Sequence, residues 1–521
     1  MNSISYPYRN FYAMLCDGAQ THARKTAVFV DREKISYAGL LAKADAFARF
    51  MELRGIGRGD RVALIAPNGP EFIVAVFAAA RLGAVSVPVN HMLKATEFAF
   101  ILNDAAVKLL VTSEAFADEV GALHGKVETL ETVVWVDRAP SADAHNIVFD
   151  EVGDLHPHAR EKAADVGPDD PAVIFYTSGT TGNPKGALMS YRNLFSNMSA
   201  GQQVFGIGSG DRFIVYLPMF HSFTFTIMVL MPFYTKSSVV VVRKLMPFSN
   251  IIKQTLLRRV TVFLGIPDIY NALIRAKLPW YFMWFNRIRL FISGASALSE
   301  ETLTRFSQRF KRANMMEGYG LSENSPAAAV NPYGRAKAGS VGKALPGYEI
   351  KIVDDEMVEV PRGQVGEIII KGDGVMLGYL NRPEATEETV VNGWLRTGDL
   401  GRMDEEEYLF IVDRKKDLII SKGINIYPRQ IEEELVKLPA IANAAVIGVS
   451  DPKNGEVPVA YVELEADWED PVHERDIKAA LKANLANFKI PRNVYVVDAL
   501  PKTATGKVLK RLLKAQLNGE K

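Results

Sequence analysis

Cysteine is almost missing from this chain: Cys16 is the only one in 521 residues. No intramolecular disulfide can form, which fits a reducing compartment. Net charge is almost missing too. Sixty-one lysines and arginines face 60 acids, for a formal charge of +1. Bulk charge therefore gives no case for nucleic acid or an anionic membrane as partner. Long apolar runs are scarce. The longest, residues 213–234, is broken by Pro218, His221 and Pro232 and flanked by Asp211, Arg212 and Lys236. A membrane span needs about 20 predominantly apolar residues, so this run reads as core and pocket. The first residues, MNSISYPYRNFYAMLCDG, lack the basic, apolar, small-residue order of a signal peptide, and a cytoplasmic location is expected. Internal repeats and low-complexity tracts are absent.

What is present has ordinary globular proportions, 48% hydrophobic and 23% charged, over a length that predicts more than one domain. Residues 62–65 read as a buried strand, 71–82 carry helical apolar spacing, and a second strand starts at Val85. This alternation predicts an α/β fold with a mainly parallel sheet. Residues 172–176, 238–242 and 289–292 read as further strands. Beyond residue 340 the segments shorten, and alternation over 365–371 predicts smaller antiparallel sheets. The expected organisation is a large N-terminal part, 1–413, with α/β sheets layered with helices plus a small β-barrel-like part. A charged hinge, 414–417, and a small mobile α+β domain, 418–521, follow.

Four stretches carry chemistry. YTSGTTGNPKG, 176–186, places three glycines, hydroxyl side chains and Lys185 directly after a strand. Such backbone approaches phosphate oxygens closely, although the spacing is not that of a Walker loop; a flexible surface loop is the bland reading. MEGYGLSE, 316–323, sets Tyr319 between two glycines, where a flat base can stack, and Glu323 where Mg²⁺ can be held. WLRTGDL, 394–400, offers Asp399 on a tight turn, able to accept from two vicinal hydroxyls or merely to cap local backbone. PKTATGKV, 501–508, presents Lys507 in a small-residue loop, deliverable to a distant site or simply solvated.

Each signal is weak alone, but their order is specific. With the DRKKD junction at 413–417, and with LGAVSVPVN at 82–90 and NGEVPVAYV at 454–462, they give the ordered motif set of the adenylate-forming superfamily. Over nearly its whole length the chain resembles an AMP-forming fatty acid–CoA ligase of that family, an acid–thiol ligase. The resemblance implies ATP, Mg²⁺ and coenzyme A as cofactor and co-substrates. It implies that Thr177, Ser178, Gly179, Thr180, Thr181, Gly182 and Lys185 form the loop over the β- and γ-phosphates, with Thr181 and Glu323 contacting Mg²⁺. Tyr319 would stack on adenine, lined by Gly294, Ala295, Ser296, Glu317, Gly318 and Gly320. Ser322 would meet the α-phosphate, Asp399 and Arg414 the ribose, and Lys507 would bridge carboxylate and α-phosphate. His221 would act as the gate beside the acyl pocket, Lys416 as hinge residue, and Lys422 and Gly423 would border the CoA tunnel.

The chain departs from the family pattern in places. Ser190-Tyr191-Arg192-Asn193 stands where Thr-His-x-Asn is usual, Ser322 where threonine is commoner, Lys422 where a small residue is usual and Asp413 where glycine is common. None removes an essential charge. The pocket expected from Phe220, Ser222, Phe223, Phe225 and Pro326 contains no arginine or lysine to pair a second carboxylate. A medium- or long-chain fatty acid is therefore expected, with an aryl acid, or transfer to a carrier protein instead of CoA, as alternatives. The expected partners are small molecules, with no nucleic acid and no transmembrane segment; peripheral membrane contact and a homodimer stay open. Residues 278–289, LPWYFMWFNRIR, crowd five aromatics against two arginines. A buried helix before the next strand is expected there, and a bilayer-touching patch is the alternative.

Overall fold

The computed structural model describes the chain except residues 1–5, 141–145, 153–162, 178–182, 245, 295–297, 299, 466–467, 504–505 and 518–521. The strand Arg61–Ile65, helix Pro70–Leu82 and strand Val85–Pro88 form the expected unit. Pro70 starts the helix, where its missing N–H leaves no bond unmade. Phe72 through Ala80 are all buried, so the helix is interior rather than amphipathic.

Two large sheets dominate. One has eight strands in the order Gly378–Tyr379, Lys185–Ser190, Pro171–Thr177, Val85–Pro88, Arg61–Ile65, Val107–Thr112, Thr132–Trp135 and Asn146–Val148. It is parallel from Pro171–Thr177 onward and antiparallel at the first two strands. The other has nine strands. Its parallel centre runs Asn314–Tyr319, Leu290–Ser293, Val262–Gly265, Arg212–Val215, Ser238–Val241 and Thr26–Val30. Except for Asn314–Tyr319, these strands are rich in Val, Ile, Leu and Phe, as burial on both faces requires.

Beyond Tyr348 the sheets are small, as expected. Tyr348–Val353, Gly366–Gly372 and Trp394–Met403 pair antiparallel, and Leu409–Arg414 joins Trp394–Met403. A further sheet holds Ile424–Ile426, Ile419–Ser421, Gly455–Leu464 and Ile441–Asp451, with Val494–Val497 added in parallel. It packs its own core around Ile419, Ile431, Val446 and Leu481. Asp413 grips this part: its Oδ2 accepts the Arg429 N–H at 2.8 Å, in the first turn of helix Pro428–Leu435.

One expectation is corrected. The aromatic segment is a helix, Trp280–Phe285, but it is not buried. Phe282 is 1% exposed, whereas Trp280, Trp284 and Phe285 are 71%, 66% and 68% exposed. Only one side of the helix finds the core.

Candidate active site

The parallel strands of both large sheets end toward loops that carry the motifs, where ligands bind in open α/β sheets. Strands Pro171–Thr177 and Lys185–Ser190 pair up to Thr177 opposite Lys185, so these two ends of the glycine-rich motif are fixed at one sheet end. Ser178, Gly179, Thr180, Thr181 and Gly182 lie outside the described residues, as do Ala295 and Ser296. Glu323 Oε1 accepts from Thr177 Oγ1 at 3.3 Å and from the Tyr379 hydroxyl at 3.0 Å. Lys185 Nζ stands 5.2 Å from the Tyr379 ring centre. Tyr379 was not foreseen. Burial, reinforced by the Glu323 charge, holds its hydroxyl protonated, so it is a donor. Among the described residues no three His, Cys, Asp or Glu side chains converge as a metal site. Glu323 is thus a single hard carboxylate, which suits Mg²⁺ held mainly by phosphate oxygens.

A second cluster joins different sheets. The Tyr319 hydroxyl donates to Asp399 Oδ2 at 2.8 Å. Arg414 Nε lies 3.4 Å from Asp399 Oδ1, and Asp399 and Arg414 are direct partners on neighbouring strands. Gly320 follows Tyr319 with no room for a side chain, since a Cβ there would stand 1.9 Å from the Pro326 carbonyl oxygen. Gly320→Ala is expected to misplace Tyr319 or prevent folding, checked by soluble yield and thermal melting.

Lys507 reaches this cluster. Its turn is closed by Thr503 N donating to Lys507 O at 2.8 Å and Gly506 N to Thr503 O at 2.9 Å. Burial, then the Arg414 charge, pull the ammonium pKa down to about 7, with Asp399 opposing. Lys416 is lowered by burial and by Arg414 as well. Three cations, Arg414, Lys416 and Lys507, thus share the site with two acids, Asp399 and Asp417. The imbalance favours an incoming anion.

His221 is held at about 4, by burial first and then by the Lys507 charge. Its Nδ1 accepts from Phe223 N at 3.4 Å, which leaves the hydrogen on Nε2. It is a neutral polar group at neutral pH. Ser222 and Ser322 hydroxyls meet at 2.8 Å. Gly294 is filled by a neighbour instead of a side chain: a Cβ there would lie 2.7 Å from the Phe223 ring. The Phe220 and His91 rings meet edge to face with centres 5.1 Å apart, and His91 Nδ1 is buried without a partner among the described residues. Pro326 is buried next to Gly320. Phe225 lies deeper than Phe223. It is fully buried against Phe72 and Phe175, in the core.

Glu317, beside Gly318, is buried and accepts from Leu298 N at 2.9 Å. Burial raises its pKa from 4.5 to about 7, outweighing that hydrogen bond. The folded state therefore binds the proton more tightly, and this stabilisation is lost as pH rises through about 7. Glu317→Gln is expected to melt higher than wild type at pH 8, by about 2 °C or more, with the gap closing toward pH 5. A gap independent of pH would contradict the assignment.

Lys422 and Gly423 are not brought to these clusters by any described contact. They form the tip of a two-residue hairpin in which Ser421 pairs Ile424, and Ile420 and Ile424 beside them are exposed.

The AMP-binding enzyme family matches residues 16–380, and the AMP-binding enzyme C-terminal domain matches 430–507. The chain is 34% identical to the long-chain-fatty-acid–CoA ligase FadD13 of Mycobacterium tuberculosis, over 93% of each chain. It is 33% identical to the feruloyl-CoA synthase of an Amycolatopsis species, over 94% of this chain and 96% of the other. The ATP-bound crystal structure of MatB from Rhodopseudomonas palustris superposes with a TM-score of 0.88 at 32% identity, covering 98% of this chain and 99% of that one. The apo structure of MatB gives 0.77 over the same coverage. The chain belongs to the AMP-binding enzyme family, among the adenylate-forming acyl- and aryl-CoA ligases.

Proposed function

We propose that this chain activates a medium- or long-chain fatty acid with ATP and passes the acyl group to coenzyme A. The carrying observation is the set of three cations, Arg414, Lys416 and Lys507, around Asp399 and Tyr319. In the first step a carboxylate oxygen attacks the α-phosphorus and pyrophosphate leaves, giving acyl-AMP. Two anions must meet, and Lys507 offsets their repulsion by sitting between carboxylate and α-phosphate. Asp399 takes the ribose hydroxyls, Tyr319 presents its ring to adenine, Ser322 meets the α-phosphate and Lys185 a terminal phosphate. Glu323 would hold Mg²⁺, which supplies charge neutralisation on the leaving pyrophosphate. In the second step the CoA thiolate attacks the acyl carbon, and AMP leaves with the carboxylate oxygen.

We place the pivot between these steps at 414–417. Lys507 interacts with Arg414 and Asp399, the arrangement adenylation needs. The higher similarity to ATP-bound than to apo MatB supports a family in which the parts rearrange.

The apolar lining without a second cation supports a fatty acid. The likeness to a feruloyl-CoA synthase favours an aryl acid as second reading. The test is kcat/KM across acids from acetate to oleate, with benzoate and coumarate. A maximum between octanoate and oleate supports the proposal, and turnover of aryl acids alone overturns it. Gly294→Ala should push Phe223 into the slot, lowering kcat/KM for the preferred acid about tenfold or more while leaving KM for ATP within about twofold. An unchanged acid profile would remove both residues from the pocket.

A further inference from the structure

We propose that the helix Trp280–Phe285 and its basic surround form a docking surface for an anionic lipid bilayer. Positions i, i+1, i+4 and i+5 of a helix share one side. Here these are Trp280, Tyr281, Trp284 and Phe285, and all four are exposed. Phe282, on the other side, anchors the helix in the core. The helix Phe248–Leu257 packs beside it and ends on Leu257, which is also exposed. Four large exposed aromatics on one helical face exceed the scattered apolar residues of an ordinary surface.

Charge selects the occupant. The whole chain is balanced, yet between Asp211 and Glu300 the only acid is Asp268, against eleven lysines and arginines. Lys277 and Arg287, which flank the helix in sequence, and Lys311 and Arg312 farther on are exposed and make no ion pair among the described residues, whereas Arg275 and Arg289 are paired with Glu465 and Asp211. Arg312 stands 5.6 Å over the Trp284 ring and donates to the Trp284 carbonyl at 3.3 Å, which fixes a guanidinium beside the aromatic face. Trp and Tyr rings with adjacent Lys and Arg match the interfacial zone of a bilayer, the rings at headgroup level and the cations on phosphates. No helix among the described residues is long and apolar enough to cross a membrane, so the contact is a peripheral one. The surface stands on exposure and charge, independently of which acid the active site takes.

The experiment is co-sedimentation of the full chain with phosphatidylcholine vesicles, with and without phosphatidylglycerol, at low and high salt. Binding to the anionic vesicles that weakens with salt is expected. The double variant Trp280→Ser/Trp284→Ser, and separately Lys277→Glu/Arg287→Glu, should each lower the partition coefficient about tenfold or more. Brominated lipids should quench tryptophan fluorescence in the wild type and far less in the tryptophan variant. Melting temperature and turnover of a water-soluble acid should not change, since these side chains are exposed and outside the active site. No binding, binding indifferent to lipid charge, or variants that bind like wild type would overturn the proposal. Concentration-dependent self-association that vanishes in the tryptophan variant, without vesicle binding, would overturn it too and assign the face to a second copy.

Discussion

Lys507→Ala should lower acyl-adenylate formation by about 10²- to 10³-fold, while synthetic acyl-AMP plus CoA still yields thioester at a rate within about threefold of wild type. The split follows from geometry. Lys507 sits with Arg414 and Lys416, where it opposes the repulsion of two reacting anions. The thiol step has no such pair. The wild-type pH profile carries the same signature. In the free enzyme the ammonium has been brought down to about 7, chiefly by burial. Its cationic form is lost above that value, so kcat/KM should fall as pH rises through about 7. Bound phosphate and carboxylate favour the cation, so kcat should hold to higher pH. Lys507→Ala should lack this alkaline limb. Equal losses in both half-reactions would contradict the role given to Lys507.

Glu323→Gln should cost about 10²-fold or more in adenylation and raise the Mg²⁺ concentration needed for half-maximal rate. The amide oxygen still accepts from Thr177 and Tyr379, which now lie at 3.3 and 3.0 Å from Glu323 Oε1. What disappears is the charge. Tyr379→Phe removes one donor and leaves the carboxylate, so its loss should stay below about tenfold. Stopped-flow pyrophosphate release against Mg²⁺ concentration distinguishes them. A Tyr379→Phe loss as large as that of Glu323→Gln would move the function from the carboxylate to the phenol.

The motifs legible in the sequence were those whose residues are neighbours along the chain. Thr177 and Lys185, 319–323, and Asp399 with Arg414 meet in space because short paired strands hold them. Tyr379 was not legible because its place comes from a strand of only two residues, Gly378–Tyr379, added to the edge beside Ala187 and Leu188. Nothing local in the sequence predicts that pairing. Helical spacing likewise predicted the element at Trp280–Phe285 but not its burial. Periodicity says which residues share a face, while burial depends on what packs there, and here only Phe282 is covered. The hairpin that carries Lys422 and Gly423 at its tip was not read from the sequence, which marked these residues only as the border of a CoA tunnel.

The central claim is that the acid is activated as an adenylate. It is tested most directly by incubating the enzyme with ATP, Mg²⁺, CoA and decanoate labelled with ¹⁸O in both carboxylate oxygens, then weighing the products by mass spectrometry. Carboxylate attack on the α-phosphorus followed by thiolysis predicts one ¹⁸O in AMP, none in pyrophosphate, and acyl-CoA equal in amount to AMP. Label in inorganic phosphate with ADP as the nucleotide product, or unlabelled AMP, would contradict it.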